Sequence, residues 1–367
     1  MRAAVSAIRP FAAADIPQVA DLHRRVFRTA AAEAPGWPEL YRAYLSEVFL
    51  RTPADDGAPA SLVAEDGAGG IAGFLGVVPR RMAFDGRPVV MAVCSQFVVD
   101  PRSRGTVGLR LVRQCLSGPQ DLSMTDEALA PTERIWQWCG GATALLHSIR
   151  WIRPLRPAAA ALAVLKRRRR LGWSGRPAEA AAHLVDGMAG RLGVTLAGAL
   201  PPRGSREPLD EPHVPAWLPG LVGERRLRPD YDDRSLRWTL ARAGRLRGHG
   251  ELRRTLVRDE HGRVIGWYVY YAGRGAVGEV LQVASGARSA GTVLDHLLHE
   301  AAGLDVAALT GRLDPPLIRE MSERRFLMYR RGFSTLVHSR RPDLLQAILR
   351  GDAFLSRLEG EWCLHFQ

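Results

Sequence analysis

Residues 97–112 read Phe97-Val98-Val99-Asp100-Pro101-Arg102-Ser103-Arg104-Gly105-Thr106-Val107-Gly108-Leu109-Arg110-Leu111-Val112. The stretch closes an apolar strand, passes through a charged turn, and from Leu109 returns apolar residues at helical spacing with Val112, Cys115 and Leu116. A strand thus enters a helix through an arginine- and glycine-bearing turn. The opening amides of a helix have no partner within it, and the aligned peptide dipoles add partial positive charge there. Such a turn suits an anion, and a diphosphate above all.

Upstream, Val5 to Pro10 is a predicted strand, and Ala14 to Phe27 a helix with Ile16, Val19, Leu22 and Val26 on one face. Pro38 to Leu50 is a second helix. Ser61 to Glu65, Gly70 to Phe84 and Pro88 to Val99 form an antiparallel meander turned at Asp66 to Gly70 and at Asp85-Gly86. Downstream, Leu122 to Thr125 is a short strand, Pro131 to Cys139 a helix with proline in its first turn, and Ala142 to Trp151 a closing strand.

The second half restarts this order. A helix at Asp233 to Ala243 precedes a hairpin of Leu252 to Asp259 and Val264 to Tyr271, then a strand at Val277 to Ala284. Next come a helix at Thr292 to Ala302, a strand at Val306 to Thr310, a helix at Pro316 to Arg331, and strands at Ser334 to His338 and Trp362 to Phe366. The stretch from Ala158 to Pro215, rich in Ala, Gly and Pro and holding the basic run Lys166 to Arg170, is read as a connector. The expectation is a mixed, largely antiparallel α/β fold carried twice, with domains at 1–157 and 216–367 joined by 158–215.

The chain has 367 residues, 46% of them apolar, and a formal charge of +13. Lys166 is its only lysine, so the charge is an arginine bias spread along the chain and not a binding face. No nucleic-acid partner is expected from it. Cys94, Cys115, Cys139 and Cys363 lack the paired spacing of a zinc site or disulfide framework and are expected as buried free thiols, with no metal. Neither a signal-like apolar stretch at Met1 to Ala7 nor a run long enough to span a membrane is present, so a cytoplasmic protein is expected.

The segment of residues 97–112 resembles the GCN5-related N-acetyltransferases, whose signature is a strand followed by Gln/Arg-x-x-Gly-x-Gly/Ala at a helix start. Arg102 and Gly105 meet that spacing, while Val107 stands where Gly or Ala is usual. Read from Arg104-Gly105, the loop is one residue shorter and Gly108 supplies the last glycine. The resemblance covers Val5 to Pro157 well and Leu227 to Phe366 in element order. It implies a tandem acyl-CoA-dependent N-acyltransferase that passes an acyl group, from acetyl-CoA or another acyl-CoA, directly to a primary amine. It also implies that the backbone of Phe97, Val98 and Val99 holds the pantetheine arm, and that Arg102, Arg104, Gly105, Thr106, Val107 and Gly108 hold the diphosphate. The family's glutamate on the fourth strand and tyrosine in the fourth helix are missing here: the strand offers Cys94, Ser95 and Gln96, and the helix Trp136 and Trp138.

Asp126, at the end of the fifth strand, is then the nearest carboxylate for a general base, with a helix-capping role as its alternative. Cys94 reads as core. Ala284 to Gly291 falls where a second phosphate loop would lie but lacks its spacing, and is expected as a structural turn. Trp267, Tyr268, Tyr270 and Tyr271 either line an acceptor pocket or fill a core. Two rival functions remain open: a tRNA-dependent aminoacyl transferase of the FemABX-like kind, and a degenerate, non-catalytic relative.

Overall fold

The computed structural model describes residues 5–27, 35–103, 106–169, 201–330 and 332–366. The basic run Lys166 to Arg170 lies outside the described side chains. In the first sheet β1 (Val5–Pro10), β2 (Leu62–Asp66), β3 (Ile71–Phe84), β4 (Arg87–Val99) and β5 (Leu122–Ala128) stand in that order, antiparallel except for β4 and β5. Helices α1 (Ile16–Phe27) and α2 (Trp37–Phe49) cover one face, setting Leu22, Tyr41 and Leu45 against Phe74, Val78 and Met91. On the other face α3 (Thr106–Leu116), which links β4 to β5, and α4 (Ala130–Trp138) set Val112, Cys115 and Trp136 against Leu75, Val77 and Ala92. Alternate residues of β3 therefore face different helices, which is why Ile71 to Val78 reads as an unbroken apolar run.

After α4 the structure departs from the expected closing strand at Ala142 to Trp151. Two strands occupy this stretch, β6 (Ala142–Thr143) and β7 (Arg150–Pro154), separated by a 3-10 turn at Leu146–Ser148. The turn is pinned where the Ser148 hydroxyl accepts the Thr335 amide at 2.9 Å. Only β6 stays in the first sheet; β7 crosses to the second.

The expected connector also holds structure. A helix at Pro157–Arg169 follows β7, and β8 (Ser205–Pro208) pairs with the second sheet. Helix Val214–Val222 comes next, and β9 (Leu227–Pro229) pairs with β3 of the first sheet. Helix Asp233–Gly244 is capped by Asp232, whose side chain accepts the Ser235 amide. The predicted hairpin and strand appear as β10 (Glu251–Arg258), β11 (Val264–Ala272) and β12 (Val277–Ser285). Helix Ala290–Gly303 then leads to β13 (Ala308–Arg312), parallel to β12.

The predicted helix at Pro316 to Arg331 ends early, at Ile318–Glu323, because Arg325 turns the backbone into the left-handed region at φ +59° and Phe326 drops into the core. The chain continues as β14 (Leu327–Tyr329), at the edge of the second sheet. β15 (Ser334–His338), expected in the second half, lies instead in the first sheet between β5 and β6. Helix Pro342–Arg350 was not read from the sequence. The stretch from Trp362 to Phe366 is no strand: Glu361–Leu364 forms a 3-10 turn.

The resulting orders are β1-β2-β3-β4-β5-β15-β6 and β14-β7-β13-β12-β11-β10-β8. Besides β9, which pairs with β3, each half places one strand within the other's sheet order, β15 in the first and β7 in the second, and each enters at the same place, between the sheet's parallel pair and its short edge strand. The duplication read from element order is thus real in topology, and the halves are laced together. Residues 1–157 expressed alone lack β15, so β5 and β6 lose their common neighbour; this fragment is expected to show no cooperative melt by circular dichroism. Co-expression with residues 201–367 is expected to restore one.

Candidate active site

The parallel pair β4 and β5 stays in register only from Met91 opposite Leu122 to Val93 opposite Met124. Beyond Val93 the strands part. The divergence begins next to a bulge, where Gln96 and Phe97 of β4 oppose Leu75 alone on β3 and Gln96 takes φ +53°. A bulge adds twist and re-aims the strand locally, which turns the end of β4 away from β5. Among the described residues, no backbone hydrogen bond from outside the sheet reaches Cys94 to Val99 on the β5 side. Phe97, Val98 and Val99 therefore lie along the stretch where β4 has left β5, with Val98 buried and the other two half-buried.

At the top of the cleft β4 runs into α3. Here the structure corrects part of the expected anion cradle: the Arg102 amide donates to Asp100 Oδ1 at 2.9 Å, and the Ser103 amide to the Asp100 carbonyl at 2.9 Å. Arg102 can contribute its exposed guanidinium but not its amide. Arg104 and Gly105 lie outside the described residues. Thr106, Val107 and Gly108 form the opening turn of α3, where amides point along the helix axis and out. The Val107 side chain is fully buried, and a Cβ at Gly108 would stand 3.2 Å from the Phe97 ring. Valine in place of Gly or Ala at 107 is thereby explained: its side chain turns into the core and leaves the amide side clear.

The floor of the divergence is made by the C-terminal segment. Glu361 is buried there, its Oε1 accepting from the Thr125 hydroxyl at 2.5 Å, the Asp126 amide at 3.1 Å and the Glu127 amide at 2.6 Å. Burial, reinforced by the neighbouring Asp126 charge, pushes its pKa up to about 8. Sequence reasoning missed this carboxylate because it lies more than two hundred residues from β5, just before a segment read as a strand.

Asp126 is placed differently from either expectation. It does not cap α4, whose N-cap is Leu129. Its Oδ2 pairs with Arg312 of β13 at 2.5 Å and its Oδ1 accepts the Glu361 amide at 2.8 Å, with both side chains of the ion pair almost fully buried. Both oxygens are engaged in structural contacts, and the side chain is buried. Asp126 ties the halves together and holds Glu361 in position.

On the α1 and α2 side, Gln96 accepts from the Tyr41 hydroxyl at 3.2 Å, and Trp37, Tyr41, Tyr44 and Phe366 stack into an aromatic wall. His23 packs against Tyr41, and burial lowers its pKa to about 4, so it stays neutral. Cys94 is core, its thiol 3.6 Å from that of Cys115; Cys139 is half-buried and the other three cysteines are buried. Among the described residues no cluster of His, Cys, Asp or Glu is grouped to hold a metal ion, and no helix is long and apolar enough to cross a membrane.

The second sheet repeats the divergence and closes it. β12 and β13 pair from Val277 opposite Ala308 to Glu279 opposite Thr310, and then the Arg357 amide donates to the Leu281 carbonyl at 2.9 Å while its guanidinium pairs with buried Glu279. The helix start that follows is covered as well, since a Cβ at Gly291 would meet Arg324 and Glu320 within 2.6 Å. Ala284 to Gly291 is a structural turn in which the Ser289 hydroxyl donates to the Ile265 carbonyl at 2.9 Å. Trp267, Tyr268, Tyr270 and Tyr271 are core. Their polar ends are satisfied inside by Gln282, Glu300 and the Ala243 carbonyl.

No family model matches the sequence, and no curated protein matches it. Solved structures share the fold. A GCN5-related N-acetyltransferase from Anabaena variabilis superposes with a TM-score of 0.56 at 12% identity, over 91% of this chain and 72% of that one. One from Kribbella flavida gives 0.53 at 17% identity, over 91% and 70%. A conserved protein of unknown function from Enterococcus faecalis V583 gives 0.57 at 10% identity, over 91% and 72%. The likeness spans both halves, so the tandem fold of the described residues is that of the GCN5-related N-acetyltransferases.

Two outcomes test this geometry. Arg312→Met leaves Asp126 buried and unpaired and is expected to lower unfolding free energy by about 3–5 kcal/mol in urea, with Asp126→Leu/Arg312→Met recovering most of it. Glu361 binds its proton more tightly when folded, at about 8 against 4.5, so its contribution to stability is complete below pH 4.5 and is lost as pH rises toward 8. Melting temperatures of wild type and Glu361→Gln, which cannot titrate, should therefore diverge in favour of the variant across that window.

Proposed function

We propose that this chain, built on the fold of the GCN5-related N-acetyltransferases, transfers an acyl group from an acyl-CoA, acetyl-CoA first among them, to an amine. The observation that carries the reading is the asymmetry of the two divergences. The edge of β4 takes no backbone partner from outside its sheet among the described residues, while the matching edge of β12 is bonded to Arg357. Backbone groups left open in a cleft are what an extended ligand pairs with when it adds to a sheet.

In this reading Phe97, Val98 and Val99 hold the pantetheine arm through their backbone. The amides of Thr106, Val107 and Gly108 and the Arg102 guanidinium hold the diphosphate, with Arg104 and Gly105 completing the turn. The bound thioester supplies an activated acyl carbon. An amide of the Phe97 to Val99 stretch is the donor available to its oxygen. An amine attacks only after losing a proton, and Glu361, buried in the divergence with a raised pKa, is the group suited to take it near neutral pH. Asp126 acts through Glu361 by holding its backbone amide.

The binding arm of the proposal is tested at α3. Thr106 is exposed, and Thr106→Glu places a carboxylate where the helix dipole favours it, so the fold is expected to be unharmed. Acetyl-CoA at about 100 times its Kd should stabilise wild type by about 2.7 kcal/mol in a thermal-shift assay. Thr106→Glu should lose that response, and Arg288→Glu, at the corresponding turn of the second half, should keep it. Stabilisation that survives Thr106→Glu would place the ligand elsewhere. The catalytic arm is read from rates: kcat/KM is expected to rise with pH through an apparent pKa of about 8 and, in Glu361→Gln, to fall by about 10²–10⁴ and lose that limb. An unchanged limb in the variant rules Glu361 out.

A further inference from the structure

A cavity of about 140 Å³ lies between the halves, away from the β4 cleft, walled by β3, the 53–59 loop and helix Asp233–Gly244. Arg80, on β3, lines it. The side chain is 91% buried by its 9% exposure, its Nη1 donates to the Thr239 hydroxyl at 2.9 Å, and it stacks over Trp238 at 5.2 Å. Among the described residues its Nε and Nη2 have no hydrogen-bond partner. Glu359, Tyr231 and Cys363 are the groups that act on it electrostatically, and none of them forms an ion pair with it. Glu359 is already engaged by Tyr231, Gln282 and Ser356.

A guanidinium taken out of water without a counter-ion costs several kcal/mol, so it persists where something compensates it. The guanidinium of Arg80 is a planar fork, the shape that matches a carboxylate, and because Nε and Nη2 are buried as it stands, the side chain must turn toward the cavity to present them. The rim carries the opposite sign. Asp55, Asp56 and Asp232 join Glu359 against Arg80, Arg81 and Arg234, and Arg81 is itself drawn to Asp55, Asp230 and Asp232. A phosphate dianion entering past these carboxylates is repelled. A neutral zwitterion is not, since its ammonium group meets the aspartates as its carboxylate meets Arg80.

We infer that this cavity is a binding site for a small amino carboxylate, with the carboxylate on Arg80 and the ammonium on the acidic rim of Asp55 and Asp232. The site is separate from the β4 cleft and does not depend on acyl transfer.

Isothermal titration of the full chain, without any acyl-CoA, tests it with glycine, L-serine and L-glutamate as probes against ethanolamine, propionate and inorganic phosphate. At least one amino acid should bind, with ethanolamine and propionate weaker by about tenfold or more, since each lacks one anchor. Arg80→Met removes the buried charge without leaving a hole. It should melt at or above the wild-type temperature and bind none of the probes. Arg80→Lys keeps the charge but loses the fork, and is expected to weaken binding about tenfold should the methionine variant fail to fold. Phosphate binding as tight as the best amino acid, no binding by any amino acid, or equal binding in both variants each overturns the site. Loss of the acetyl-CoA response in Thr106→Glu is read separately and leaves this result untouched.

Discussion

Where two parallel strands part, the backbone groups between them lose their partners, and in a protein interior such groups have to be bonded by something. The two sheets meet this constraint at matching places, after Val93 in one and Glu279 in the other. In the second sheet the chain answers it with its own backbone at Arg357, and the gap is sealed by the buried Arg357 to Glu279 pair. In the first sheet it is answered on the floor, where Glu361 takes the amides of Asp126 and Glu127, and among the described residues the β4 edge takes no backbone partner from outside its sheet. One topological divergence, present twice, is closed by main chain in one half and in the other is bonded only on the β5 side.

The segment from Ala353 to Phe366 connects the two outcomes. It leaves helix Pro342–Arg350 and runs through the gap of the second sheet, where Arg312 donates to the carbonyls of Leu355 and Ser356. It then turns at Gly360, where a Cβ would collide with Asp126, and reaches the gap of the first sheet. The Leu364 carbonyl accepts from Tyr44 and the His365 carbonyl from Arg242. Arg312 thus bonds both to the segment and to Asp126, and Asp126 bonds to the segment again. A buried pair of this kind adds little net stability against an apolar replacement, but removing one member is severe. Its effect here is registration: it sets the depth at which Glu361 enters the cleft.

Much of the fold is legible in sequence because it rests on local signals. The β3 and β4 hairpin, the helices beginning near Ile16, Trp37 and Thr106, and the meander of the second half each carry periodicity and turn residues that need no knowledge of the rest of the chain. The strand exchange carries no such signal. Arg150 to Pro154 alternates as it would in either sheet, and a strand's partner is chosen by packing across two hundred residues. The same reason hid the roles of two carboxylates. Asp126 looked available because Arg312 is distant in sequence, and Glu361, just ahead of the strand expected at Trp362 to Phe366, carried no signal because its partners lie on β5. The helix start at Thr106 was readable from the sequence, but not that the side chain of Asp100 takes the Arg102 amide just before it.

The lacing of the halves bears on what the second one is for. A second copy whose divergence is closed by Arg357 offers no free strand edge at Leu281, so its place in the chain calls for another physical reason. It supplies β7's sheet, Arg312 and the path that delivers Glu361, and it closes the far wall of the cavity over Arg80 with Tyr231, Ser235 and Thr239. Each of these is a contribution to the first half made from outside it. Because each sheet holds a strand of the other half, the relative placement of cleft, carboxylate and cavity is fixed by main-chain hydrogen bonds, a more rigid tie than side-chain docking across an ordinary domain interface. A half that gave up its own cleft has become the frame on which the other is held.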